Sequence, residues 1–572
     1  MDCAEVRKCV AAEQPWMSEN VCRIHAHVRK FDWSQPPNKN NSASGTGTGF
    51  LLDSIPSDDE GVYVVTAHHV VAFAVNARVN FTAVDSEMYD AEVIGGNGEL
   101  DVALLLVRNQ ALRARLAELG ANGLQTGDSD SIIPPETVTA HGFALGQPHM
   151  QTTKGVVSGR IVGPSRLQTD VAVNPGNSGG PLLDASKRAI GVVTSGIADA
   201  QGINYVAPIH ETGVVMRRVL DGYKRNRRFV PDRLPSFNAT FVKSTRPLLN
   251  KLACKTGVYC CAVHPKVEFA QSAGEAGQML ADDAEALQAL RQVGDMSVHT
   301  GDSWLRLFRT HVRGDDARHR ALVDRVRRNG LREGDMVCAF TVRGKRYDID
   351  MQRNARFDFW ADAIGFDAVL DRLSMGDVVR FDIVRDGVAA VAEVALDANL
   401  NVYRKHHVDV EGMEYLVLAG VFVVPLAVDH LAFFKNQAQI VSLNALMARP
   451  SSRHASVLLV TTILPESSYN DGNTITSSDI LVGINNHVVT DLYAARRAWE
   501  EEMAHADDHV ITLRMRDGTI ASATLSDIHA SNRKIVDAYK SDEYVGHRRV
   551  PLHFGATAGG PHASATIDSP RM

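Results

Sequence analysis

Apolar residues run almost without a break through Gly61-Val62-Tyr63-Val64-Val65-Thr66-Ala67, halt at the pair His68-His69 and resume at Val70-Val71. So short an apolar run predicts a strand ending in a polar turn that carries two histidines. Leu100-Asp101-Val102-Ala103-Leu104-Leu105-Leu106 opens a second strongly apolar strand with one carboxylate at its head. His25 and His27 alternate on one face of a further strand. After Pro208 the pattern becomes that of an amphipathic helix, whose solvated face carries Arg217, Arg218, Lys224, Arg225, Arg227 and Arg228. Pro231-Asp232-Arg233-Leu234-Pro235 reads as a linker. Beyond it, strand-like runs are separated by Gly-Asp turns at Gly294-Asp295, Gly334-Asp335 and Gly376-Asp377. The longest apolar stretch, Tyr415 to Val428, is broken by Pro425 and falls short of the roughly 20 residues that a bilayer-spanning helix needs. It predicts a soluble protein with no membrane partner. From about His547 the glycine- and alanine-rich sequence predicts a disordered tail.

Composition adds bounds to this picture. A chain of 572 residues with 45% hydrophobic and 22% charged residues is ordinary globular material, long enough for three or four domains. A net charge of -7 gives no reason to expect nucleic acid as a partner, and the basic helix after Pro208 is the one local exception. Seven cysteines, two of them adjacent at Cys260-Cys261, do not resemble a disulfide framework. The first residues, Met1 to Cys9, mix acids with bases and lack the apolar centre of a secretory signal. A reducing, cytoplasmic or nuclear, compartment is therefore expected. No cofactor is expected, and no metal: neither His25/His27 nor His406-His407 has the carboxylate or cysteine partners of a zinc site.

The chemistry concentrates in Asn174-Pro175-Gly176-Asn177-Ser178-Gly179-Gly180-Pro181. Gly176 permits a turn that aims the amides of Gly176 and Ser178 at one point, where they could hold an oxyanion, and Ser178 is a candidate nucleophile. A hydroxyl at neutral pH needs a base, and the base an orienting carboxylate. The histidine turn and the Asp101 strand supply both, in the order His, Asp, Ser.

Residues 44 to 209 resemble the chymotrypsin-like serine proteases of the HtrA/Deg group. Ser44-Gly45-Thr46-Gly47-Thr48-Gly49-Phe50 is similar to that family's opening strand, Val65-Thr66-Ala67-His68-His69-Val70 to its histidine motif and Leu100 to Leu105 to its aspartate motif. Thr169 to Leu182 is similar to its serine motif, and Asn204-Tyr205-Val206-Ala207-Pro208-Ile209 to the strand closing the domain. The resemblance implies a mainly β, multidomain protein: a double β-barrel protease followed by PDZ-like α+β modules. It implies His69 as base, because the family places that residue directly before two valines, with Asp101 and Ser178 completing a triad and His68 only a neighbour. It implies an oxyanion site at Gly176, Asn177 and Ser178, with Asn177 setting the loop, and a primary pocket walled by Val173, Ser195, Gly196 and Ile197. An uncharged pocket predicts cleavage after small or medium aliphatic residues.

Ser478-Asp479-Ile480-Leu481-Val482-Gly483-Ile484-Asn485-Asn486-His487-Val488-Val489 resembles a PDZ segment, with Asn486 where that family has glycine at a tight turn. The order protease, PDZ, PDZ is similar to the two-PDZ Deg proteases of plants, as are Ser34-Gln35-Pro36-Pro37, Leu234 to Asn238, Tyr415 to Phe422 and Ala521 to Leu525. The expected boundaries are an extension over 1–20, protease over 21–228, a first module over 229–400 with an insertion at about 303–356, a second over 401–545, and a disordered tail over 546–572. Leu418, Ala419, Gly420 and Val421 are the candidate loop for a peptide carboxylate, with Phe237-Asn238-Ala239 a poorer one in the first module. The resemblance implies an ATP-independent endopeptidase acting on unfolded or damaged proteins and peptides, assembled as a trimer-based homo-oligomer. A PDZ scaffold or holdase with a latent protease site, and a processing protease with one dedicated partner, are the alternatives.

Overall fold

The computed structural model describes residues 15–38, 40–161, 165–196, 202–251, 254–263, 330–359, 363–398, 405–434, 436–448, 457–470 and 474–550. The first six strands are β1 (Val21–Arg29), β2 (Ser42–Phe50), β3 (Val62–Thr66), β4 (Ala74–Asn80), β5 (Tyr89–Asn97) and β6 (Val102–Val107). They pair in the order β5-β4-β1-β2-β3-β6, and β5 also pairs with β6, closing the sheet into a barrel. Every residue of β3 and β6 is buried, which accounts for their unbroken apolar sequences. β7 (Glu136–Gly142), β8 (Gln151–Ile161), β9 (Arg166–Thr169), β10 (Pro181–Leu183), β11 (Ala189–Gly196) and β12 (Asn204–Pro208) form a second closed barrel. The double barrel is the fold expected from the sequence.

Two helices matter for the site. α1 (His68–Val71) is a single turn at the end of β3. α2 (Ile209–Asn226) follows β12 and inserts Val215, Met216, Val219, Leu220 and Tyr223 into the core of the double barrel. Each such side chain contributes about 1.5–3 kcal/mol by leaving water. The basic face of α2 is partly neutralised within the domain, by Arg218 with Asp232 and Lys224 with Asp58 at 2.8 and 2.7 Å, and by Arg227 with Glu60.

Two further sheets follow. The first runs Ala239–Lys243, Val258–Val263, Met336–Val342, Val378–Arg385 and Val388–Ala395, with Lys345–Asp348 on the side. Both described Gly-Asp turns lead into strands as expected, Asp335 before Met336–Val342 and Asp377 before Val378–Arg385; Gly294-Asp295 lies outside the described residues. Residues 336–356, assigned from sequence to an insertion, instead include the central strand of this sheet, and Phe340, Val342 and Ile349 fill its core. The second sheet has eight strands, among them Ile480–Ile484, Leu458–Ile463, Val421–Pro425, Met413–Leu418 and Gly546–Val550, covered by helices Leu492–Met503 and Leu525–Tyr539. Gly546–Val550, placed in a disordered tail by sequence, pairs with Met413–Leu418. The left-handed residue at the tight turn is Asn485 (φ 46°) rather than Asn486, and its side-chain oxygen accepts from the Thr512 amide at 2.7 Å. Among the described residues no helix is long and apolar enough to cross a membrane.

Candidate active site

The site lies where the two barrels meet. α1 brings His69 to the mouth of the first barrel, half exposed, and the turn between β5 and β6 brings Asp101 beneath it. The carboxylate takes two bonds from the same residue: His69 Nδ1 lies 2.8 Å from Asp101 Oδ2, and the His69 backbone N–H donates to Oδ1 at 2.9 Å. This double contact fixes Nδ1 as the protonated nitrogen and turns Nε2 outward. Asp101 holds a left-handed conformation (φ 57°), uncommon for a residue with a Cβ, and the two bonds offset that strain. Burial pushes its carboxyl up, but the hydrogen bonds and charge of His69, helped by the charge of His68, outweigh burial and hold it below the usual carboxylate range.

Ser178 sits on the loop between β9 and β10, pinned across the barrel interface. Its carbonyl accepts from the Thr48 amide of β2 at 2.9 Å, while Thr48 Oγ1 donates to Gly176 O at 2.7 Å and accepts from the Phe143 amide at 3.0 Å. Gly176 has φ 102°, and a Cβ there would lie 2.3 Å from Phe143 O. Gly179 allows equally close approach, since a Cβ on it would meet Thr48 O at 2.2 Å. Among the described residues the N–H groups of Gly176 and Ser178 bond to no protein group, so both remain available to a ligand. Asn177 differs. Its N–H donates to Asn174 O at 3.0 Å, so it supplies no oxyanion amide and acts only on loop shape. The Ser178 hydroxyl donates to Thr194 O at 3.3 Å and makes no hydrogen bond with His69.

Of the expected pocket, Val173 is partly buried against the core of the second barrel. Ser195 and Gly196 end β11, paired with Tyr205 and Asn204 of β12, and Ile197 lies outside the described residues. The expected carboxylate loop of the second module is corrected outright. Leu418, Ala419, Gly420 and Val421 are all buried, and Ala419-Gly420 is the turn of a hairpin joining Met413–Leu418 to Val421–Pro425. Val421–Pro425 also pairs with Leu458–Ile463 on its other side, so neither edge can take an added strand. In the first module, Ala239–Lys243 is a terminal strand of its sheet, while Phe237 beside it is buried among Phe241, Phe366 and Phe381.

Two parts of the site escaped the sequence reading. Thr48 lies in the glycine-rich strand, where the pattern predicts only a strand residue, although a hydroxyl between two glycines is a signal for backbone contact. His68 is buried and pairs with Asp409 of α3 (Val408–Glu411), Nε2 to Oδ2 2.6 Å, at the start of the second module. No local pattern marks that partner.

Residues 47–192 match the trypsin-like peptidase domain family. The chain is 32% identical over 285 residues to a putative serine protease HhoB of Synechocystis sp., covering 48% of this chain and 62% of the relative. It is 32% identical over 206 residues to the chloroplastic protease Do-like 1 of Arabidopsis thaliana, covering 33% and 43%. A serine protease Do-like HtrA of Bacillus subtilis is 28% identical over 214 residues, covering 35% and 45%. The chain thus spans less than two thirds of these relatives' own lengths. Among solved structures, the HtrA-type protease AlgW with a tripeptide superposes with a TM-score of 0.40 at 18% identity, over 66% of this chain and 93% of that one. The chain carries a trypsin-like peptidase domain and is homologous, across it, to HtrA/Deg serine proteases.

Proposed function

We propose that the protein is an ATP-independent serine endopeptidase that cleaves unfolded or damaged proteins after small or medium aliphatic residues. The observation that carries this reading is the pairing of His69 with Asp101 facing a serine loop whose Gly176 and Ser178 amides are unspent. Ser178 Oγ attacks the scissile carbonyl as His69 Nε2 takes its proton, and the same imidazole then protonates the leaving amine. Asp101 keeps Nδ1 protonated and stabilises the imidazolium. The two free amides receive the oxyanion, each worth roughly 3–4 kcal/mol in the transition state. No charged residue stands at Val173, Ser195 or Gly196, which supports the aliphatic preference. The downstream modules gate access as PDZ-like units, and the terminal strand Ala239–Lys243 of the first is the edge best placed to add a peptide strand. The assembled form is a homo-oligomer, a reading taken from the family resemblance.

The Ser178–Thr194 hydrogen bond favours a second reading, a protease held latent until substrate turns the hydroxyl toward His69. Casein degradation by wild type and Ser178→Ala, together with fluorophosphonate labelling, separates the cases. Degradation and labelling lost in Ser178→Ala support an active enzyme. Labelling that appears only with added peptide supports latency, and identical, label-free proteins contradict both.

A further inference from the structure

The second module does more than rest beside the protease: one short segment of it touches both turns that carry the acid and the base. His407 lies against Gly98 in the turn that leads to Asp101, so closely that a Cβ on Gly98 would fall 2.3 Å from the ring's Nδ1. Two residues on, Asp409 makes its 2.6 Å ion pair with His68, the neighbour of His69 on α1, and both side chains are about 5% exposed. The segment is itself tied down, since the His406 amide donates to Asp429 of the second module at 2.8 Å. The surrounding contact is aromatic. Phe31, Trp33 and Phe73 pack into the core of the second module, Trp33 stands edge-on to His430 with ring centroids 5.1 Å apart, and Thr461 donates to Ser34 O at 2.9 Å. Phe73 follows α1 after Ala72, so the second module contacts the base-bearing turn at both its ends.

We propose that Asp409 is a positioning residue for the active site, acting through His68 to hold the His69–Asp101 pair in its working geometry, so that full activity requires the second module to be docked. The inference rests on the serine-protease reading above. Among the described residues, the groups facing His68 include Asp409 from α3, Asp101 from the β5–β6 turn and the ring of His407, 6.4 Å away and edge-on; His69 adjoins it on α1. Burial pushes the His68 imidazole toward its neutral form, but the charge and contact of Asp409, with the charge of Asp101, outweigh it and favour the cation. A cationic His68 in turn stabilises the Asp101 anion on which His69 depends. Asp409, His68 and Asp101 alternate in charge and lead to His69, and the first of them belongs to another module.

The test uses the full chain and a fluorogenic peptide with an aliphatic residue at the cleaved position, preceded by fluorophosphonate labelling of wild type. In folded Asp409→Asn, kcat is expected to fall at least tenfold with KM changed less than threefold, and the alkaline limb of the kcat profile to move down by about one pH unit or more, because His68 loses its proton earlier. Asp409→Glu should restore most of the activity. A merely structural contact would lower the melting temperature without moving the pH profile. If Asp409→Asn does not fold, His68→Asn serves, since it removes the same ion pair from the other side; the same loss of kcat is expected. Unchanged kcat and an unchanged profile in either folded variant of an active, labelled wild type overturn the positioning role alone. A wild type that neither labels nor cleaves overturns the proposed function, and this role with it.

Discussion

The two downstream modules grip the protease in opposite ways. The first module docks through charge: the Ser165 amide donates to Asp371 at 2.8 Å, and Arg372 reaches Asp130 and, at 3.0 Å, the buried Glu211, which also faces buried Arg160 at 3.6 Å. The second docks through Phe31, Trp33, Phe73 and one buried ion pair at His68. The polar contact lies on the second barrel and α2, away from His69, whereas the aromatic one surrounds the turn that carries it. A charged interface responds to pH and salt, and an apolar one to shape. The difference predicts that damage to the first grip costs stability, while damage to the second costs activity as well.

The largest effect expected is at the shared target. Asp101→Asn should lower kcat by about 10⁴-fold, measured on a peptide substrate, because His69 is then left in the wrong tautomer. Next, Arg372→Ala removes a cation from buried Glu211 and Asp130 and should destabilise the fold by about 3 kcal/mol in urea unfolding. Its folded fraction should keep normal kcat; a large kcat loss would erase the distinction between the two grips. Trp33→Ala should cost about 1–3 kcal/mol and lower kcat too, and full activity would show that the aromatic contact does not support α1.

The smallest effect concerns pH. Burial, together with the charge of Glu211, pushes the Asp371 carboxyl up to about 7, against an ordinary value of 3.8. Between these values the folded protein holds a proton that the unfolded chain has released, so this contribution to stability is present below about pH 4 and fades as pH rises through about 7. Asp371→Asn, which keeps an acceptor for Ser165, should remove that part of the slope in melting temperature against pH. An unaltered slope would place the titration elsewhere.

What the sequence disclosed follows the same division between near and far. β3, β6 and the loop around Ser178 are written in runs of a few residues, because a strand buried on both faces must be apolar throughout and a tight turn with positive φ favours glycine. The choice of His69 over His68 also rested on local order, and it is His69 whose Nδ1 lies 2.8 Å from Asp101. Leu418-Ala419-Gly420-Val421 misled because the same four residues suit a carboxylate loop and a hairpin turn. Only the distant strand Leu458–Ile463, pairing with Val421–Pro425, decides between them. Asn177, expected to set the loop between the two amides, closes the turn through its N–H to Asn174 O. Asp409 was invisible for the same reason as the hairpin: its partner belongs to another module.

The most direct test of the central claim is mass-spectrometric mapping of a fluorophosphonate probe on the intact chain, with Ser178→Ala and Asp101→Asn as companions. A single adduct on Ser178, absent from Ser178→Ala and formed far more slowly in Asp101→Asn, is the result expected of a working His69–Asp101–Ser178 site. Labelling at another residue, or an equal rate in Asp101→Asn, would contradict it.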